Sequence, residues 1–369
     1  MSIQPLSREP GRTPSSHEEE LERLRQAAGD VILKVDDLSV RFPSDEGPVN
    51  AVLNLSYEAR LGRTLAIVGE SGSGKSVSSM TLLGLHNPKR SEITGSVRLD
   101  GTEIVGASED TMRRLRSRTV AMVFQDPQSS LHPFHKVGHQ IAEAYRAHHS
   151  VSRSIANRRA VEMLDRVGIP NPDRRAKQYP HEFSGGMRQR AMIALGLVND
   201  PKLLVADEPT TALDVTVQAQ ILDLINDLQR EFGSAVILIT HDLAVVAEVA
   251  DDILVMYAGR AVERGDAKSV LSRPNHPYTV GLLNSIPSAT DEVEELTAIR
   301  GTPPSLVRLP SGCSFHPRCD FRDEVPGDLC VSTLPDLRVL GDGRQVRCHL
   351  ADVEGSMRRR STTPEEHLS

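Results

Sequence analysis

The sequence predicts an α/β protein with a mainly parallel sheet, a helical insertion and a small irregular module behind it. Three observations carry this. Short apolar runs, TLAIV (64–68), LLVAD (203–207) and AVILIT (235–240), read as fully buried strands and alternate with stretches of helical periodicity. From about 137 to 198 the pattern is helical throughout, which interrupts that alternation. After about 285 the chain turns Pro-rich and irregular, and all four cysteines, at 313, 319, 330 and 348, fall there.

Taken in order, residues 1–29 are polar and carry Pro, Gly and Ser, the composition of a mobile tail, with a short helix expected in HEEELERLRQA. VILKVDDLSVRF (31–42) and AVLNLSYEA (51–59) read as strands around a loop holding Pro43, Gly47 and Pro48. TLAIV then enters a Gly-rich turn, a helix opens at Gly74, and TVAMVF (119–124) returns as a strand. The insertion comprises VGHQIAEAYRAHH, RSIANRRAVEMLDRVGI and GGMRQRAMIALGLV. KLLVAD resumes the strands. VTVQAQILDLINDLQREFG is an amphipathic helix with Val217, Ile221, Leu224, Ile225 and Leu228 on one face and Gly233 as its stop. After AVILIT and a short helix, ILVMYAGRAVERG reads as a hairpin turning at Ala258-Gly259. There is no internal repeat.

Composition sets limits. The 369 residues are 38% hydrophobic and 25% charged, with 43 Lys and Arg against 50 Asp and Glu. The net charge of −7 argues against a general nucleic-acid-binding surface. No apolar run approaches the roughly 18 residues that span a bilayer, and the N-terminus lacks an apolar signal region, so a cytoplasmic location without structural disulfides is expected.

The chemistry begins at Gly69-Glu70-Ser71-Gly72-Ser73-Gly74-Lys75-Ser76, which fits G-x-x-x-x-G-K-S between a strand and a helix. Its glycines let backbone N–H groups turn inward as an anion nest, and the helix N-terminus adds its positive dipole end. Lys75 is expected to reach the β- and γ-phosphates and Ser76 to sit on Mg²⁺; a Gly-rich connector is the bland alternative. LLVADE (203–208) ends a strand in two carboxylates, Asp207 placed for the Mg²⁺ shell and Glu208 for activating water. Alone, such a pair is often a solvated turn. FSGGMRQR (183–190) opens another helix on a Ser-Gly-Gly turn, a second phosphate-shaped site that one folded chain does not need but two facing chains do.

Together these residues resemble the ATP-binding subunits of ABC transporters: VGESGSGKS the Walker A loop, VFQDP the Q-loop, FSGGM the signature, LLVADE the Walker B, ALD (212–214) the D-loop and THD (240–242) the H-loop. The resemblance implies a P-loop NTPase fold, RecA-like, with a helical subdomain at about 130–200 inside a cassette spanning 30–285. It implies a head-to-tail dimer in which ATP lies between one Walker A loop (Gly69, Ser71, Gly72, Ser73, Gly74, Lys75, Ser76) and the opposite Ser184, Gly185, Gly186 and Asp214. It also gives Gln125 to the γ-phosphate and Mg²⁺, His241 to the γ-phosphate and Phe42 to the adenine, although an aromatic at a strand end is more often core. The signature departs from LSGGQ at Phe183 and Met187, so any hydrogen bond of that Gln amide is missing.

HEFSGGMRQRAMIA, RPNHPYTVGLLNSIP (273–287) and GTPP…GCSFHPRC resemble the oligopeptide/dipeptide importers, particularly their D-type subunits, with nickel importers sharing much of the pattern. The implied partners are a second, different ATP-binding subunit, two membrane permeases and, indirectly, an extracellular solute-binding protein, with this chain peripheral on the cytoplasmic face. A non-transport ABC ATPase of DNA repair or translation is the competing class, and it usually carries two cassettes or a coiled-coil insertion that are absent here. Residues 286–350 form the expected C-terminal extension, and 351–369 an expected disordered tail.

Cys313, Cys319, Cys330 and Cys348 are separated by five, ten and seventeen residues, without the C-x₂₋₄-C knuckle usual in structural zinc sites. The wide spacing suits a [4Fe–4S] cluster better, and the resemblance to D-type subunits adds to that reading. Zinc and four reduced thiols in a small core stay open as alternatives. His316 and His349 lie beside the cysteines and are not expected to be ligands.

Overall fold

The computed structural model describes residues 29–126, 130–211, 214–285 and 299–350, with 353 and 355. The N-terminal tail and its short helix, Pro127 of VFQDP, Ala212 and Leu213 of ALD, positions 286–298 and nearly all of the C-terminal tail lie outside the described residues.

The strands are β1 (Val31–Phe42), β2 (Val49–Arg60), β3 (Thr64–Val68), β4 (Glu92–Leu99), β5 (Thr102–Glu103), β6 (Val120–Val123), β7 (Leu203–Asp207), β8 (Ala235–Thr240), β9 (Asp252–Tyr257), β10 (Arg260–Asp266), β11 (Arg338–Val339) and β12 (Gln345–Val346). They form two sheets, an antiparallel one in the order β2-β1-β4-β5 and a larger one in the order β11-β12-β10-β9-β3-β8-β7-β6. In the larger sheet β9, β3, β8, β7 and β6 run parallel, while β10 and β12 add antiparallel pairs at one side. Every residue of β3, β7 and β8 is buried, which is why these strands read as continuous apolar runs rather than alternating ones.

The antiparallel sheet was not expected as a separate layer. β4 gives little sequence signal because only Val97 and Leu99 of its eight residues are buried. It nevertheless pairs with β1 along most of its length, closing a core of Leu33, Val35, Leu38 and Leu55.

Among the described residues the α-helices are α1 (Lys75–Leu82), α2 (Glu109–Leu115), α3 (Val137–Arg146), α4 (Arg153–Arg166), α5 (Pro172–Arg175), α6 (Gly185–Leu197), α7 (Val215–Phe232), α8 (Leu243–Val249), α9 (Ala267–Ser272), α10 (Pro277–Asn284) and α11 (Leu329–Ser332). α3, α4 and α6 pack through Ile141, Met163, Leu164 and Ile193 into a second core, shared with α7. On α7 the buried face is Ile221, Leu222, Ile225, Leu228 and Phe232, while Val217 and Leu224 are only partly covered. Asp214 caps its start, accepting from the Val217 N–H at 3.0 Å, and Gly233 ends it at φ 68.

The C-terminal stretch does not stand apart from the larger sheet. Val346 of β12 pairs with Glu263 of β10, and Phe315 packs with Tyr257 and Tyr278 in one apolar cluster. Ring centroids there lie 4.6–5.4 Å apart.

Candidate functional site

The parallel strands deliver the polar motifs to one edge. In register, Val68 of β3 lies beside Thr240 of β8, and Ile239 beside Asp207 of β7. The loop after β3, the carboxylates after β7 and His241 after β8 therefore leave the sheet side by side at its carboxyl end, where open α/β sheets bind ligands.

The 69–76 loop is built by close packing. A Cβ on Gly69 (φ 153) would lie 2.2 Å from the Met256 carbonyl, and one on Gly74 (φ 102) 2.3 Å from the Ala51 carbonyl. Only glycine fits either place. Lys75 is 6% exposed, and its Nζ donates to the Gly69 carbonyl at 2.6 Å and the Glu70 carbonyl at 3.0 Å. Burial pulls its ammonium below the ordinary lysine range, and Glu208, Asp207 and Glu70 oppose that shift. The Ser73 hydroxyl is buried with no protein partner among the described residues. The Ser76 hydroxyl donates to Asp207 Oδ1 at 3.3 Å, and burial pushes the Asp207 carboxyl upward.

Glu208 is the hub of the edge. Its backbone turns left-handed at φ 45, and its N–H donates to the Ile239 carbonyl at 2.8 Å. Gln125 Nε2 donates to Oε2 at 2.8 Å and Thr211 Oγ1 donates to the same oxygen at 2.9 Å. His241 Nδ1 lies 3.3 Å from Oε1. The structure thus brings together Lys75, Ser76 and Asp207 on one side, and Gln125, Glu208 and His241 on the other. Thr211 was missed; its signal was a hydroxyl three residues after the acid in EPTT.

Other expected residues lie elsewhere. Ser184 caps α6, accepting from the Met187 N–H at 3.3 Å, and both Ser184 and Gly185 are exposed. Phe183 is buried in the second core, so an aromatic at this signature position acts as a core residue. Phe42 is half-buried against the first core, its ring edge-on to His86 at 5.5 Å.

This arrangement has close relatives. The family described as ABC transporter matches residues 52–211, and the one described as oligopeptide/dipeptide transporter, C-terminal region, matches 262–325. The oligopeptide transport ATP-binding protein OppD of Escherichia coli is 49% identical over 325 residues, which cover 88% of this chain and 95% of OppD. The chain belongs to the oligopeptide/dipeptide transport ATP-binding family. The dipeptide transport ATP-binding protein DppD of Escherichia coli is 46% identical over 318 residues, covering 86% of this chain and 96% of DppD. Among solved structures, the cassette MJ0796, a dimer in a post-hydrolysis state bound to ADP and Pi, superposes with a TM-score of 0.58 at 26% identity over 64% of this chain and 98% of its own. The cassette cbiO1 of Clostridium perfringens reaches 0.57 at 29% identity, covering 66% of this chain and 91% of its own. Among the described residues of this transport ATP-binding chain, no helix is long and apolar enough to cross a membrane.

The cysteines form a separate feature. All four are free thiols lining one cavity, together with His276 and Phe315. Cys313 donates its N–H to the Cys330 carbonyl at 2.9 Å. Burial pushes the thiols of Cys319 and Cys348 up to about 12, and raises those of Cys313 and Cys330. His316 Nδ1 lies 2.9 Å from the Cys313 carbonyl and His349 Nε2 2.8 Å from that of Thr333, so both rings are engaged by the main chain. Among the described residues, no group of three or more His, Cys, Asp or Glu side chains is arranged to hold a metal ion, so the structure gives no support to Cys313, Cys319, Cys330 and Cys348 as cluster ligands. Cys330 belongs to a small apolar cluster with Phe321, Val325 and Leu350, and the other three cysteines pack against that cluster or the one around Phe315.

Proposed function

We propose that the chain is the ATP-hydrolysing subunit of a peptide importer, with the 69–76 loop holding the phosphates and Glu208 activating the attacking water. The observation that carries this is the single acceptor, Glu208, on which Gln125, Thr211 and His241 converge at the edge that also holds Lys75. In this reading Lys75 leaves its loop carbonyls for the β- and γ-phosphates, and loop amides between Gly69 and Gly74 hold the rest. The Ser76 hydroxyl and the Asp207 carboxylate, with Gln125, suit Mg²⁺, a hard cation that takes oxygen ligands. When bound, Mg²⁺ neutralises phosphate charge. His241 serves the γ-phosphate, and Phe42 the adenine once His86 gives way.

Ser184, Gly185, Gly186 and Asp214 belong in this reading to the site of an opposing cassette, supplied by a second and different ATP-binding subunit. The chain then divides into tail (1–29), cassette (30–285, helical subdomain 130–200), extension (286–350) and C-terminal tail (351–369). It docks on two permeases at the cytoplasmic face of the membrane, and an extracellular binding protein supplies the solute. Uptake of labelled dipeptides, longer peptides and Ni²⁺ by the reconstituted transporter tests the substrate. Peptide uptake that depends on this chain is the expected result, and Ni²⁺ uptake alone would move the assignment to the nickel importers.

A second reading, a [4Fe–4S] cluster, rests on four soft donors lining one cavity. Tetrahedral zinc with bonds of about 2.3 Å demands thiolates about 3.8 Å apart, whereas a cubane holds its ligands further apart. Binding would release the four thiol protons and staple a stretch with little core of its own. Chain purified without oxygen should then be brown and carry close to four irons by metal analysis. Colourless, metal-free chain with residues 299–350 ordered leaves four reduced thiols as the answer.

A further inference from the structure

Arg318 precedes Cys319 in the C-terminal stretch, yet its guanidinium reaches the phosphate loop. Nη1 donates to Glu70 Oε2 at 2.6 Å and Nη2 to Glu70 Oε1 at 2.9 Å, a two-pronged pair. The arginine side chain is 5% exposed and the glutamate 26%. The guanidinium is held from other sides too. Its Nε donates to the Arg300 carbonyl at 2.8 Å, Nη1 donates to the Tyr257 hydroxyl at 3.3 Å, and its plane lies 5.8 Å from the Tyr257 ring centre. Glu70 is pinned a second time, because its own N–H donates to the Tyr278 hydroxyl at 2.7 Å. Both anchors, Tyr278 and Arg318, come from beyond the nucleotide motifs.

The chemistry of Glu70 makes this arrangement consequential. Its carbonyl accepts from Lys75 and from the Ser73 N–H, so Glu70 is part of the loop that would gather polyphosphate. A carboxylate there repels an incoming anion and offers the Lys75 ammonium a competing partner. Pairing with a buried guanidinium removes both effects.

We propose that Arg318 is a positioning residue for nucleotide binding: it neutralises Glu70 and keeps that carboxylate engaged, leaving Lys75 and the loop amides for the phosphates. The C-terminal stretch thereby sets the affinity of the ATP site. This rests on the reading of 69–76 as the phosphate loop, and the test separates the two.

The experiment measures ATP and ADP binding to the full chain by calorimetry for Arg318→Ala, Arg318→Lys, Glu70→Gln, the double variant Arg318→Ala/Glu70→Gln and Lys75→Ala. Arg318→Ala should weaken ATP binding about tenfold, within the range typical of coupling between sites. Glu70→Gln alone should bind at least as well as the parent, since it removes the like charge. The double variant should return to within about twofold of Glu70→Gln, because the two residues act as one unit. Arg318→Lys should recover part of the loss. In the assembled transporter KM should rise with kcat little changed, since Arg318 does not touch the reacting atoms. A merely structural arginine predicts the opposite pattern, with no rescue by Glu70→Gln. Parent-like binding by Arg318→Ala, or a double variant as weak as Arg318→Ala, overturns the proposal. Should Arg318→Ala fail to fold, Glu70→Gln decides it: a tenfold loss in that variant shows that the carboxylate itself helps binding. If Lys75→Ala binds ATP normally, the phosphate-loop reading itself is wrong.

Discussion

At the scale of single residues, Glu208 accepts a left-handed backbone at φ 45, which costs a non-glycine residue about 1–2 kcal/mol. The turn aims its carboxylate away from the sheet and toward Gln125, Thr211 and His241, while Asp207, still in the strand, points to Ser76. Two neighbouring acids thus have separate partners. Glu208→Gln should keep ATP binding and lose about 10²-fold or more in turnover, the usual worth of one general base. Steady-state hydrolysis by the assembled transporter, beside nucleotide binding to the same variant, checks this; near-normal turnover would defeat the assignment. Both acids were legible as types at a spacing, because a strand ending in two carboxylates beside a Gly-rich loop is a local pattern. The Arg318–Glu70 pair was not, since nothing local marks two residues 248 positions apart as neighbours.

At the scale of elements, the same contrast separates the strands. β3, β7 and β8 announce themselves by unbroken apolar runs, whereas β11 and β12, of two residues each, owe their existence to the edge of β10. That edge holds a testable oddity. Glu263 in β10 is fully buried, accepting from the Asn275 N–H at 2.7 Å and the His276 N–H at 3.0 Å at the entry to α10. Burial outweighs these donors and the nearby Arg344, and pushes its carboxyl up to about 7 from an ordinary 4.5. The folded state therefore holds a proton that the unfolded chain gives up between about pH 4.5 and 7, so stability contributed by Glu263 is present at pH 4.5 and falls as pH rises through 7. The loss should amount to something on the order of 2–3 kcal/mol. Chemical denaturation across this window should show the parent losing stability relative to Glu263→Gln as pH rises. Parallel curves for the two proteins would mean that the carboxyl titrates normally in the fold.

At the scale of the whole molecule, the proposed function gives the chain two unlike halves of a nucleotide site. One half, Lys75 to Glu208, is assembled at the sheet edge. The other, the start of α6, is exposed at Ser184 and Gly185, and the Ser184 hydroxyl caps its own helix by accepting from the Met187 N–H. Gly186 of this turn has little room behind it, a Cβ there meeting a methyl of Val217 on α7 at 3.0 Å. A helix N-terminus suits phosphate, and in the proposed function the phosphate it serves comes from a facing subunit. Ser184→Arg in this chain, paired with an unaltered partner subunit, should therefore spare photolabelling of this chain by an azido-ATP probe. Turnover at the partner's site should drop about 10²–10³-fold, as when one preorganised donor to a developing charge is lost. Labelling lost from this chain while the partner's turnover persists would place α6 at the chain's own nucleotide and undo the head-to-tail arrangement.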